Sequence, residues 1–202
     1  MLPKKFLFPI FILVVLAQLY VPFKMILDKE KVLDKGTYFK FITAPVDPTD
    51  PFRGKYITLS FKENTVVVSD NSEWVKGETA FALLENDTAG FAKIKSLSKT
   101  PPIQEDVPFV KVSIRYVSAQ NDDEGTKTVR IKYPFDRYYM EESKAYEAEL
   151  AYRDSRRDST SIAYALVAVD KGEAVLEDVI IDGRPIRKVA KERVDSNQQK
   201  EQ

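Results

Sequence analysis

The chain has 202 residues, 44% hydrophobic and 31% charged, with 31 basic and 31 acidic side chains. That balance suits one ordinary domain plus a targeting segment and excludes wholesale disorder. Cys and His are absent, which excludes disulfides, His/Cys zinc sites, haem held through His, iron–sulfur clusters, and Ser-His-Asp or Cys-His catalysis.

The first element is an apolar run, Phe6 to Phe23, in which Gln18 is the only strongly polar residue among 18. As a helix it would be about 27 Å long, close to the hydrocarbon thickness of a bilayer. Lys4 and Lys5 precede it, which favours a cytoplasmic N-terminus. Two readings lead, with a buried core helix as the third. The run is an uncleaved single-pass anchor in the cytoplasmic membrane, residues 1–27, or a signal peptide cleaved after Val15-Leu16-Ala17. Both put residues 28–202 outside the cytoplasm. Because Lys4, Lys5 and Lys24 flank the run, the remainder carries 28 basic against 31 acidic residues. A mildly acidic domain has no electrostatic reason to bind nucleic acid.

Residues 28–36 read as a charged juxtamembrane turn. Thr37 to Thr43 and Tyr56 to Phe61 are rich in β-branched and aromatic residues and read as strands. Between them Pro45, Pro48 and Pro51 define a stiff loop. Thr65 to Val68 is a further strand, and Phe81 to Leu84 pairs with Gly90 to Lys95. In Val110 to Val117 the apolar residues Val110, Val112 and Ile114 share one face. A polar tip, Asn121 to Gly125, links this strand to Thr128–Tyr133. Glu141 to Arg157 lacks Gly and Pro and reads as the main helix of the domain. Ser161 to Val169 and Ala174 to Ile181 are the last strands, joined by a turn at Asp170-Lys171-Gly172. Residues 188–202 read as a charged, disordered tail. The expected fold is β-rich α+β. An antiparallel barrel or sandwich with one main helix spans residues 28–187 and follows a transmembrane helix.

The run Gly54-Lys55-Tyr56-Ile57-Thr58-Leu59-Ser60-Phe61 resembles the signature of the GDYXXLXY family, bacterial membrane-associated proteins of uncharacterised activity. Lys55 replaces the signature Asp and Phe61 its last aromatic Tyr. Pro134 to Glu142 and Val179 to Pro185 also resemble blocks of that family, so the likeness covers most of residues 30–187. It implies an extracytoplasmic domain on an N-terminal anchor, beside a polytopic membrane partner.

Three functions compete. The first is an interaction module docking an integral membrane or envelope protein through the Pro-rich loop and the aromatic block. Its candidate contacts are Asp47, Asp50, Arg53, Lys55, Tyr56, Arg137, Tyr138 and Tyr139, because Tyr and Arg are favoured at interface hot spots. No metal or cofactor is expected there. The second is a Ser–Lys hydrolase, since Pro48-Thr49 and Gly54-Lys55-Tyr56-Ile57 resemble boxes of signal peptidases. The positions where that family carries its nucleophile are Pro45 and Val46 here, so no nucleophile carries over. The third is a carboxylate-pair enzyme using Glu141 and Glu142 or Asp122 and Asp123, although neighbouring side chains on one element diverge.

Overall fold

The computed structural model describes residues 4–44, 56–68, 73–104, 106–119, 126–157 and 160–200. The chain opens with one uninterrupted helix, α1 (Lys4–Lys35). Among the described residues, α1 is the one helix long and apolar enough to cross a membrane. Its apolar side chains are bare, with Phe8 70% and Leu13 69% exposed. The expected juxtamembrane turn is instead helix through Lys35. Pro22 therefore lies inside α1 rather than near its end, and the Gln18 carbonyl lacks its usual donor four residues on.

After Gly36 the chain enters β1 (Thr37–Ala44), which is followed by β2 (Tyr56–Thr58), β3 (Ser60–Phe61) and β4 (Thr65–Val68). Next come β5 (Thr79–Asn86), β6 (Ala92–Ser98), β7 (Phe109–Ala119), β8 (Lys127–Lys132) and β9 (Arg137–Tyr139). Helix α2 (Glu142–Arg157) precedes the β10 (Ala163–Asp170) and β11 (Glu173–Ile181) hairpin, and β12 (Arg184–Pro185) leads into α3 (Ile186–Lys200).

The strands pair antiparallel in two five-stranded sheets, β12-β11-β10-β1-β3 and β4-β8-β7-β5-β6, with a separate β2-β9 ribbon. Together they make the nearly closed, barrel-like β architecture that the alternating strands predict. One side chain helps to close it. Glu63 Oε1 accepts the Ile94 N–H at 3.0 Å, joining the approach to β4 with β6 across the open edge of the second sheet.

Period-two alternation fills the interior. In β7, Val110, Val112 and Ile114 are buried, and in β10 so are Ala163, Ala165 and Val167. At the centre, the Phe41 ring lies 5.1 Å from Tyr133, 5.1 Å from Phe135 and 5.7 Å from Phe61, in tilted and edge-on contacts. Such contacts add to simple area burial. The Tyr133 hydroxyl donates to the Glu63 carbonyl at 2.7 Å, so the buried phenol is satisfied.

The expected strand Tyr56 to Phe61 is really two short ones. Ile57, Leu59 and Phe61 are all buried, as the alternation requires. The chain changes partners midway, however. Tyr56 to Thr58 pairs with β9, whereas Ser60 and Phe61 pair with Ala44 and Thr43 of β1. The Leu59 N–H still reaches the Asp136 carbonyl, at 2.8 Å. The signature run is thus a corner where one strand serves two partners.

The disordered tail expected from residue 188 is corrected by α3. Ile186 and Ala190 are fully buried, and Val189 packs against the core. Two side-chain links fasten α3 to α2, Arg193 to Asp154 at 2.9 Å and Asn197 to Glu147 at 3.1 Å. Three apolar residues on a polar helix, at i, i+3 and i+4, hold a face that composition alone reads as disordered.

Candidate interaction site

The β2–β9 ribbon carries four of the eight residues singled out in the sequence. Phe135 anchors it in the core and stacks on Tyr133 at 5.0 Å, while Lys132 pairs with Asp136 at 3.0 Å just before β9. The register sets Tyr56 opposite Tyr139, Ile57 opposite Tyr138 and Thr58 opposite Arg137. Alternation then sends Tyr56, Thr58, Arg137 and Tyr139 outward, and Ile57 and Tyr138 inward.

On the outer face the Tyr56 and Tyr139 rings lie 5.4 Å apart. Arg137 is diagonal to Tyr56, and its guanidinium lies 4.9 Å from that ring's centre. A hydrogen bond to Tyr139, with the proximity of Tyr56 after it, holds the Arg137 guanidinium further above its already high pKa range. The face is therefore a fixed cation between two phenol rings, with Tyr139 60% exposed.

Tyr138 is 3% exposed and is not available as a contact, a correction to its place among the candidates. Its hydroxyl donates to Asp178 Oδ1 at 2.7 Å and accepts from Arg187 Nε at 2.6 Å. Asp178 Oδ1 also accepts the Val179 N–H at 2.8 Å. Burial first, and the Asp178 hydrogen bond second, push the Tyr138 phenol well above its ordinary range, with Arg187 opposing. It stays a neutral donor at any physiological pH, tying β9 to β11 and to the first turn of α3.

Beside this network lies an open pocket of about 260 Å³ lined by Met140, Glu141, Lys144 and Arg187. Glu141 pairs with Lys144 at 2.7 Å, and that hydrogen bond holds the Glu141 carboxyl below its usual range. Two cations and one carboxylate leave the pocket net positive. Among the described residues, no group of three His, Cys, Asp or Glu could hold a metal ion.

Asp47, Asp50, Arg53 and Lys55 lie outside the described residues, as do Asp122 and Asp123. Asp178 and Arg187 escape sequence reasoning altogether. They stand 40 and 49 residues from Tyr138, and no local pattern joins them.

Fold and site together define a β-barrel-like protein on a single apolar helix, bearing an ordered aromatic–guanidinium surface. The chain belongs to the GDYXXLXY family, whose model, described as "GDYXXLXY protein", matches residues 18–179. The matched region runs from within α1 to β11 and includes both strands of the ribbon, while Arg187 and the rest of α3 lie beyond it. No curated protein and no solved structure matches the chain.

Proposed function

We propose that the chain is a membrane-anchored interaction module. Its barrel lies outside the cytoplasm and docks an integral membrane or envelope protein through Tyr56, Arg137 and Tyr139. The observation that carries this reading is the Arg137 guanidinium held over Tyr56 beside the exposed Tyr139 ring. Arg and Tyr dominate interface hot spots. Side chains already ordered in the free protein lose less entropy when they dock. The surface is also stiff from behind, because Tyr138, Asp178 and Arg187 fix the ribbon to the barrel. The bare apolar face of α1 and the lysines Lys4 and Lys5 at its start support the anchor and its orientation.

Photo-crosslinking tests the reading. A photoreactive residue placed at position 58, exposed on the same outward face and opposite Arg137, in the full chain in its own membrane, should capture a membrane protein that the same residue at position 162 does not. Arg137→Ala should abolish that capture. Equal products from both positions, or capture indifferent to Arg137→Ala, would sink the proposal.

A further inference from the structure

We infer that the β10–β11 turn, Asp170-Lys171-Gly172-Glu173, rests on the lipid headgroups of the membrane that α1 enters, and that helix and barrel stand there as one rigid body. This deepens the anchor reading and rests on it.

The junction has no linker. Gly36 alone separates α1 from β1, and its N–H donates to the Val32 carbonyl at 2.9 Å. A Cβ on Gly36 would stand 2.4 Å from the Val32 carbonyl oxygen and 3.0 Å from the Val169 nitrogen, so no other residue fits without moving backbone. Val32 is 5% exposed although it belongs to the otherwise bare helix. The Tyr38 hydroxyl, on β1, donates back to the Leu33 carbonyl at 3.0 Å.

The height follows from helix geometry. The exposed apolar surface of α1 continues through Met25, Ile26 and Leu27, and Lys24 among them has a stem long enough to reach the interface. From Leu27 to Lys35 the helix rises about 12 Å. A headgroup layer is roughly 5–7 Å thick on each side of the hydrocarbon. Lys29 lies only about 3 Å along the axis beyond Leu27, and its ammonium pairs with Glu173 at 2.8 Å. The turn therefore hangs to the level where the charged part of α1 begins.

The turn is itself stiff. Lys171 and Gly172 both have positive φ, 48° and 87°. The Gly172 carbonyl accepts the Lys111 N–H at 2.9 Å, and the Phe109 ring closes over Gly172. Charge does not set the contact. Lys24, Lys29, Lys31, Lys35, Lys111 and Lys171 are matched in number by Asp28, Glu30, Asp34, Asp170, Glu173 and Glu177, with Lys29 paired to Glu173, Lys31 to Asp28, and Glu177 and Asp34 both near Tyr38. The tether supplies the contact, and salt should not release it.

The absence of native Cys permits a direct test. A fluorophore is attached to Lys171→Cys, or to Ile162→Cys roughly 30 Å away along β10, in the full chain in phosphatidylcholine–phosphatidylglycerol vesicles. Lipids carrying a headgroup nitroxide should quench the label at 171 several-fold more than the label at 162, equally at low and high salt. A flexible Gly-Ser insert between Lys35 and Gly36 should erase the difference. Equal quenching at both positions, in protein that floats with the vesicles, overturns the inference and leaves the anchor standing. Protein that fails to float overturns both.

Discussion

On the inner face of the β2–β9 ribbon, Ile57 and Tyr138 are almost fully buried. On the outer face, Tyr56, Arg137 and Tyr139 meet solvent. The two faces are built from adjacent residues of similar chemistry, Tyr138 and Tyr139 above all. Inside, a phenol is enclosed and both hydrogen-bonding roles of its oxygen are filled, so its value is structural. Outside, a phenol and a guanidinium order one another without burial, so their value lies in what they can touch. Adjacent tyrosines in one three-residue strand thus part company because a pleat turns them to opposite sides.

Mutation can break this contrast from either side. The largest effect is expected for Tyr138→Ala, which removes a buried ring and leaves Asp178 and Arg187 without their shared partner. Loss of about 3 kcal/mol or more is expected for truncating a buried aromatic, measured by denaturant unfolding of the full chain in detergent micelles. Asp178→Ala keeps the ring but strands its donor hydroxyl, and should cost ~1–3 kcal/mol in the same assay.

Alkaline pH gives a third handle. Burial raises the phenols of Tyr138 and Tyr133 above their usual 10.0. The folded chain then keeps protons that the unfolded chain releases. Stability from this source is complete below pH 10 and falls as the pH rises beyond it. Tyr138→Phe should flatten part of that fall, and an unchanged slope would place the titration elsewhere. Tyr139→Ala should show the smallest change in stability, at most about 1 kcal/mol for the lost cross-strand pair, while eliminating partner capture. A large loss of stability from Tyr139→Ala would erase the distinction between the faces.

Much of this architecture was legible before folding. The apolar stretch in α1, the strand character of β1 and β10, the alternation in β7, the β5–β6 and β7–β8 pairings, and the α2 helix all follow from local composition, periodicity and turn residues. The outward position of Tyr139 and the inward one of Tyr138 did not, because β9 has three residues and too little pattern of its own. Its existence depends on β2, some eighty positions earlier. The same holds for α3, where a charged, Gln-rich sequence is helical because Ile186, Val189 and Ala190 find a core to cover. The juxtamembrane segment was misread for a related reason. Its alternating charges look like a turn, yet they are neutral to good helix formers extending a helix already nucleated upstream.

By itself, the sequence determined the long apolar N-terminal helix, the fold class and the family. These rest on the apolar run, on the strands and on the Gly54-to-Phe61 signature, each a pattern of residues close together in the chain. Tertiary structure alone decided which tyrosine faces solvent. It also joined Tyr138 to Asp178 and Arg187, and packed Gly36 as the sole junction residue between helix and barrel. Each of these is a contact between segments distant in the chain or a clash against another strand's backbone. Such terms exist only once the sheets have closed.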